Sequence, residues 1–266
     1  AVTETTAETT TAAAETTTAA PETTEAAKTT FTVGFDQDFP PMGFVGDDGE
    51  YTGFDLELAE AVCEIYGWKL VKTPINWDAK DTELNSGAID CIWNGFTMNG
   101  REDDYTWSDP YVDNSQVMVV SENSGINSLS DLAGKTVGVQ AASAALDLLQ
   151  SEEEGGQKEL ADTFAALQQF PDYNNAFVEL QAGSIDAVAM DIGVAKYQLE
   201  SRGEGYKILD EHLNSEKYAI GFKKGNTELC DKVNEGLQQV LADGTFDRLA
   251  EKYGIADMVC LEKKGE

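Results

Sequence analysis

Hydrophobic residues begin in earnest at Phe31, and from there their spacing alternates between two rhythms. The run FTVGF (31–35) predicts a strand. In DLELAEAVCEIYGW, Leu58, Val62 and Ile65 fall on one face of a helix that Gly67 stops, and KLVKT follows as a second strand. Strand, helix, strand in that order implies a sheet with helices on its faces. The stretches ELNSGAIDCIW (83–93) and ELQAGSIDAVAM (179–190) then share the pattern E-L-x-x-G-x-I-D. In each, a helix is expected to end at a glycine, Gly87 or Gly183, which tolerates a left-handed turn. A short apolar strand then begins. The echo predicts two lobes of similar build. Ligands of open α/β sheets meet the loops at the carboxyl ends of strands. The first copy would therefore deliver residues 94–101 to a cleft, and the second would deliver Asp191. Further on, residues 129–149 predict a short helix, a strand over 136–139, and a loop at 140–143 that opens another helix. KYAIGFKKGN reads as a strand and turn, and two helices close the chain.

Composition changes this picture at the front of the chain. Residues 1–30 are almost entirely Thr, Ala and Glu, with no large apolar residue beyond Val2, so no core can form there. A disordered tether is expected, of the kind that holds a domain off a membrane. Charge excludes some partners. With 18 Lys+Arg against 49 Asp+Glu the net charge is −31, which argues against nucleic acid and against an anionic membrane face. No stretch reaches the roughly 20 apolar residues of a membrane span. His212, the only histidine, reads as part of a surface turn. With no CxxC pair and no Cys/His cluster, neither a metal site nor a cofactor is expected. Cys63 and Cys91 read as buried thiols. Cys230 opens one terminal helix and Cys260 follows the last, and an extracellular setting would permit a disulfide between them.

One cation stands out in so acidic a chain: Arg101, in NGFTMNGREDDYTWSDPY. It could be a surface residue pairing with the acidic run 102–104. It could equally grip a ligand carboxylate with two parallel hydrogen bonds, which lysine cannot do. Asp191 likewise could cap the helix that follows it or accept from a ligand ammonium.

Several motifs stand in order between Phe31 and about Gly254: VGFDQDFPPMGF, DGEYTGFDLELA, GFTMNGRED before WSDPY, LSDLAGKTVGVQ, ELQAGSIDAVAMD and YAIGFKKGN. Together they resemble the extracytoplasmic solute-binding proteins of polar amino-acid ABC transporters, of the lysine/arginine/ornithine- and glutamine-binding type. The resemblance implies an α/β, two-lobe periplasmic-binding-protein fold of type II. Two strands would cross between the lobes, near 114–119 and 218–222. Lobe one would hold 31–116 and 220–266, and lobe two 117–219. It also implies roles. Arg101 matches the carboxylate-binding arginine and Asp191 the ammonium-binding aspartate. Thr97 offers a hydroxyl, the Asn94–Gly95 stretch a backbone carbonyl, and Ser143 a hydroxyl at a helix start. Phe39 and Trp77 match aromatic positions that sandwich the ligand, although core packing also accounts for them. Asp36 matches a position that meets the ligand side chain in some relatives. Two departures stand out. The stretch from Thr97 to Arg101 is one residue shorter than is common in the family. Ala141 and Ala142 also stand where Gly and Ser/Thr are usual, which removes one hydroxyl.

The expected function is capture of a polar L-amino acid and its delivery to a membrane permease. The protein would be a monomer, extracytoplasmic, and tethered as a lipoprotein through its N-terminal segment. A dehydratase on the same scaffold is the enzymatic alternative. It would need a positioned acid or base, and no His, Lys or Cys falls among the matched cleft residues. A ligand-sensing ectodomain is the third reading, and the absence of a span before Glu266 speaks against it.

Overall fold

Two five-stranded sheets carry the architecture of the computed structural model, which describes residues 28–264. Most of the expected tether lies outside the described residues. Lys28 already belongs to the fold, donating to Asp90 at 2.6 Å.

The first sheet runs Lys69–Pro74, Thr30–Phe35, Cys91–Ile92, Gly221–Lys223, Tyr105–Trp107. The second runs Ala166–Phe170, Thr136–Gln140, Ala187–Asp191, Gln116–Ser121, Tyr206–Ile208. In both, three parallel strands are followed by two that pair antiparallel to their neighbours. The fourth strand of each sheet is the one that has just arrived from the other lobe.

The repeated sequence pattern has a structural meaning. The helices Lys80–Ser86 and Tyr173–Ala182 both end in a left-handed glycine, Gly87 and Gly183. The aspartates that follow do the same task in each lobe. Asp90 accepts the backbone N–H of Thr32 at 2.7 Å, and Asp186 that of Thr136 at 2.8 Å. Each carboxylate thereby fixes its strand beside the second strand in its sheet's order, a charge-assisted bond to backbone.

Between the sheets, Val112–Asn114 pairs antiparallel with Glu216–Tyr218 as a separate two-stranded ladder. These crossings lie a few residues before the expected ones, because Gln116–Ser121 and Gly221–Lys223 have already joined the main sheets. Short crossing strands of this kind can twist without breaking either sheet, the usual basis of hinge closure.

Two expectations fail. Ile65 is 37% exposed. It stands at the edge of the buried stripe of helix Phe54–Tyr66, which runs through Asp55, Leu58, Ala59 and Val62. Cys230 and Cys260 form no bridge, and all four cysteines are free thiols. The Cys230 thiol lies 3.1 Å from the Trp107 carbonyl, whereas the Cys260 backbone is held by Tyr111. Burial pushes the Cys230 thiol up to about 12 and the Cys260 thiol up to about 11, so neither is primed to react.

Candidate ligand cleft

The loop after strand Cys91–Ile92 turns at Gly95. Its φ is +55°, and a Cβ there would come within 2.8 Å of the Phe39 ring and 2.9 Å of the Tyr218 ring, so only glycine fits. Asp55, in the first turn of its helix, holds this turn from beneath. It accepts the Gly95 N–H at 2.5 Å and the Tyr111 hydroxyl at 2.8 Å. Asp55 is fully buried, and burial pushes its carboxyl up to about 7.

Six residues after Gly95, the Arg101 guanidinium lies over the Phe96 ring at 5.3 Å. One of its nitrogens donates to the Thr97 carbonyl at 3.3 Å. Another donates at 2.7 Å to Asp147 on helix Ala144–Gln150 of the other lobe. The Arg101 side chain is 11% exposed and that of Asp147 is 59% exposed.

Asp191 ends strand Ala187–Asp191 and occupies the N-cap position of helix Ile192–Arg202, yet its side chain makes no capping bond. It turns into the cleft instead. One oxygen accepts from Asn114 (2.8 Å), Gln116 (2.8 Å) and the Tyr218 hydroxyl (2.6 Å), and the other from the Tyr173 hydroxyl (3.2 Å). Burial, followed by the nearby charge of Glu216, pushes the Asp191 carboxyl up to about 6. Among the described residues no Lys or Arg pairs with it.

Phe39, Trp77, Gly95, Thr97, Arg101, Ser143 and Asp191 meet around one narrow, nearly closed cavity, together with Gln140 and Ala144. Two of the expected residues stand back from it. Asp36 is buried and accepts from Gln140 of the other lobe at 2.6 Å, and burial pushes its carboxyl up to about 6. Asn94 does not line the cavity, and its side chain is buried without a hydrogen-bond partner. The Ser143 hydroxyl caps its own helix through the Leu146 N–H. Ala142 adopts φ +55°, a conformation that usually costs a non-glycine residue about 1–2 kcal/mol. Its carbonyl accepts from Lys80 at 3.2 Å across the lobes.

The motifs did not reveal four cleft residues: Gln140, Lys80, Asp147 and Glu216. Lys80 is 5% exposed and packs on the Trp77 ring at 5.3 Å. Burial, then the charge of Arg101, lowers its ammonium pKa. Glu216 sits two residues before Tyr218 on the same crossing strand, and that strand spacing was the one signal available for it. Among the described residues no cluster could hold a metal ion, and no helix is long and apolar enough to cross a membrane.

Residues 31–256 match the model of the bacterial extracellular solute-binding proteins, family 3. The chain belongs to this family. Among curated members, it is 29% identical over 232 residues to the L-cystine-binding protein TcyJ of Escherichia coli, covering 86% of this chain and 84% of that one. It is 30% identical over 230 residues to the arginine-binding extracellular protein ArtP of Bacillus subtilis, covering 85% and 86%. A substrate-binding protein of an ABC uptake transporter from Streptococcus pneumoniae, solved with bound histidine, superposes with a TM-score of 0.82 at 36% identity. That match covers 87% of this chain and 95% of the other. The two-lobe fold expected from the motifs is therefore the family's fold.

Proposed function

We propose that this solute-binding protein captures a polar L-amino acid between its lobes and delivers it to the permease of an ABC importer. One observation carries the reading: a guanidinium from the first lobe and an unpaired buried carboxylate at the second lobe face the same narrow cavity. A free amino acid bears one carboxylate and one ammonium on a single carbon. Burying either alone would cost several kcal/mol, and this cavity offers a partner to each. Arg101 takes the carboxylate in a two-pronged grip, and Asp191 takes the ammonium. Phe39 and Trp77 flank the aliphatic part, and Thr97, Ser143 and the Gly95 turn supply polar contacts. The charged groups come from different lobes, assigned as 31–116 with 220–266 and as 117–219, so the ligand itself favours closure. The family's members named above carry cystine, arginine and histidine in their descriptions, which supports a polar amino acid as cargo.

Catalysis is not part of the proposal. An acid–base group must reach its substrate's proton; Asp36 stands back from the cavity, bound by Gln140 of the other lobe, and Asp191 is assigned to the ligand ammonium. A monomeric, extracytoplasmic protein anchored as a lipoprotein, with the Thr/Ala/Glu segment as tether, completes the reading. A thermal-shift screen of the twenty standard L-amino acids and L-cystine tests it. At least one should raise the melting temperature by several degrees through mass action. A flat response to all of them would overturn the reading.

A further inference from the structure

The third strand in each sheet's order leads to the charges assigned to the cargo's α-carbon. In the second lobe that strand ends at Asp191, and in the first its loop runs on to Gly95 and Arg101. On one side of these ends the crossing segments fill the space, where Asn114, Gln116 and Tyr218 all donate to Asp191. On the other side stands the second strand of each sheet, about 4.8 Å away. Those strands end at Phe35, which Asp36 follows, and at Gln140. A cargo side chain directed that way meets Gln140.

Gln140 is 1% exposed and lines the same cavity as Asp191, whereas Asp36 stands behind it. The Gln140 amide nitrogen has two acceptors, the Asp36 carboxylate at 2.6 Å and the Pro171 carbonyl at 3.2 Å. A primary amide carries two N–H groups, so both are used and neither is left for cargo. The sense of the amide is fixed by the same contacts. A backbone carbonyl only accepts, so turning the amide over would set its oxygen against the Pro171 carbonyl. Oε1 therefore points away from Asp36 and Pro171, and among the described residues no donor reaches it. Nor is it shut in, unlike the unpartnered amide oxygens of Asn94, Asn114 and Gln116. In a residue so deeply buried, this leaves an open acceptor at the cavity wall. Buried polar atoms are almost always paired, so an acceptor held in one orientation without a protein partner calls for one from the cargo.

We propose that Gln140 is a specificity-determining residue: its Oε1 accepts a hydrogen bond from an N–H or O–H of the cargo's side chain, and Asp36 of the other lobe acts through it as a positioning residue. The proposal rests on the amino-acid reading of the cleft above. A side chain ending in an amide, ammonium, imidazole or hydroxyl satisfies the oxygen. An apolar side chain of the same size leaves it buried and unpaired, which costs more than a lost contact. The contact with Asp36 spans the lobes, so the acceptor is aimed only when the lobes are together. Selection among side chains is then exercised on closure rather than on first encounter.

Calorimetric titration with matched pairs of L-amino acids tests this: threonine with valine, glutamine with methionine, lysine with norleucine, and histidine with phenylalanine. In the wild type the polar member of at least one pair should bind at least about tenfold more tightly than its partner. Gln140→Leu should bring that ratio below about threefold, mainly by weakening the polar member. Asp36→Ala frees the amide and should shrink the ratio too. Asp36→Asn, whose side-chain oxygen still accepts from Gln140, should keep most of it. A purely structural Asp36 would weaken both members alike and leave the ratio unchanged. The wild-type ratio needs no variant, and if Gln140→Leu does not fold, the two Asp36 variants decide. The proposal is overturned if no pair reaches the expected ratio in the wild type. It is equally overturned if Gln140→Leu weakens both members alike, since the oxygen would then serve the α-ammonium or the fold. In both cases the amino-acid reading stands, because both members still bind. If no member of any pair binds the wild type, the proposal falls, and the thermal-shift screen decides whether the amino-acid reading falls with it.

Discussion

The two charged ends of the cleft are built differently. At one end, Arg101 rests on an aromatic ring and borrows Asp147, a side chain 59% exposed, from the opposite lobe. Pairs that open to water typically contribute only about 0–1 kcal/mol. A ligand carboxylate can therefore take the guanidinium from Asp147 at little cost. At the other end, Asp191 is 4% exposed and fixed by four donors from the crossing segments and from helix Tyr173–Ala182. Nothing there needs to move for an ammonium to be met. The contrast teaches that the cationic end is adjustable and the anionic end is preorganised, so the anionic end should dominate affinity.

Mutation at each end can break that comparison. Asp191→Asn removes the fixed charge and should cost about 2–5 kcal/mol of binding by calorimetry. Equal affinity in the variant would mean that the preorganised end is not a ligand site. Arg101→Lys keeps the charge but loses the fork, and should cost less, about 1.5–3 kcal/mol. If it costs more than Asp191→Asn, the ranking of the two ends is reversed.

The support beneath the Arg101 loop gives a pH test. Asp55, which holds the Gly95 turn, has its carboxyl raised to about 7 from an ordinary value of 3.8. A raised folded pKa contributes stability that is full below the unfolded value and is lost as pH rises through the folded one. Ligand-free protein should thus lose stability from this group between about pH 4 and 7. Asp55→Asn cannot titrate, so its melting temperature relative to the wild type should climb by roughly 2 °C or more from pH 5 to pH 8. Parallel melting curves across that range would mean that the Asp55 carboxyl does not titrate there. The smallest effect belongs to Asp147→Asn, which removes only the borrowed partner. Its affinity should stay within about threefold of the wild type, measured in the same titration. A loss comparable to Arg101→Lys would show that Asp147 positions the guanidinium rather than merely occupying it.

What the sequence disclosed follows from what is local. Gly87 and Gly183 could be recognised because a left-handed helix end is set by neighbouring residues. Arg101 and Asp191 could be placed because each follows a short strand in the repeated pattern. Ile65 was misassigned because helical spacing defines a stripe but not its edge. The unformed Cys230–Cys260 bridge depended on how the last helices and the tail meet the strands, which local pattern does not fix. Glu216 was missed for the same reason. Its partners Thr97 and Asn114 lie 119 and 102 residues away in the chain, and only the crossing of the strands brings them together. Asp36 was placed at the ligand, whereas its carboxylate reaches Gln140 of the other lobe, a contact that exists only with the lobes together.

The central claim is that one carbon's two charges are read by two lobes at once. Calorimetry on the wild-type protein can address it without mutation, comparing the tightest-binding amino acid with two of its analogues. One analogue lacks the carboxylate and is a simple amine, and the other lacks the ammonium and is a simple acid. Both should bind at least about a hundredfold more weakly, since each forfeits one of the two charge pairs made with the cleft. The acid should be the weaker of the two, because it forfeits the preorganised Asp191 end. If either analogue binds as tightly as the amino acid, the two-lobe reading of Arg101 and Asp191 is wrong.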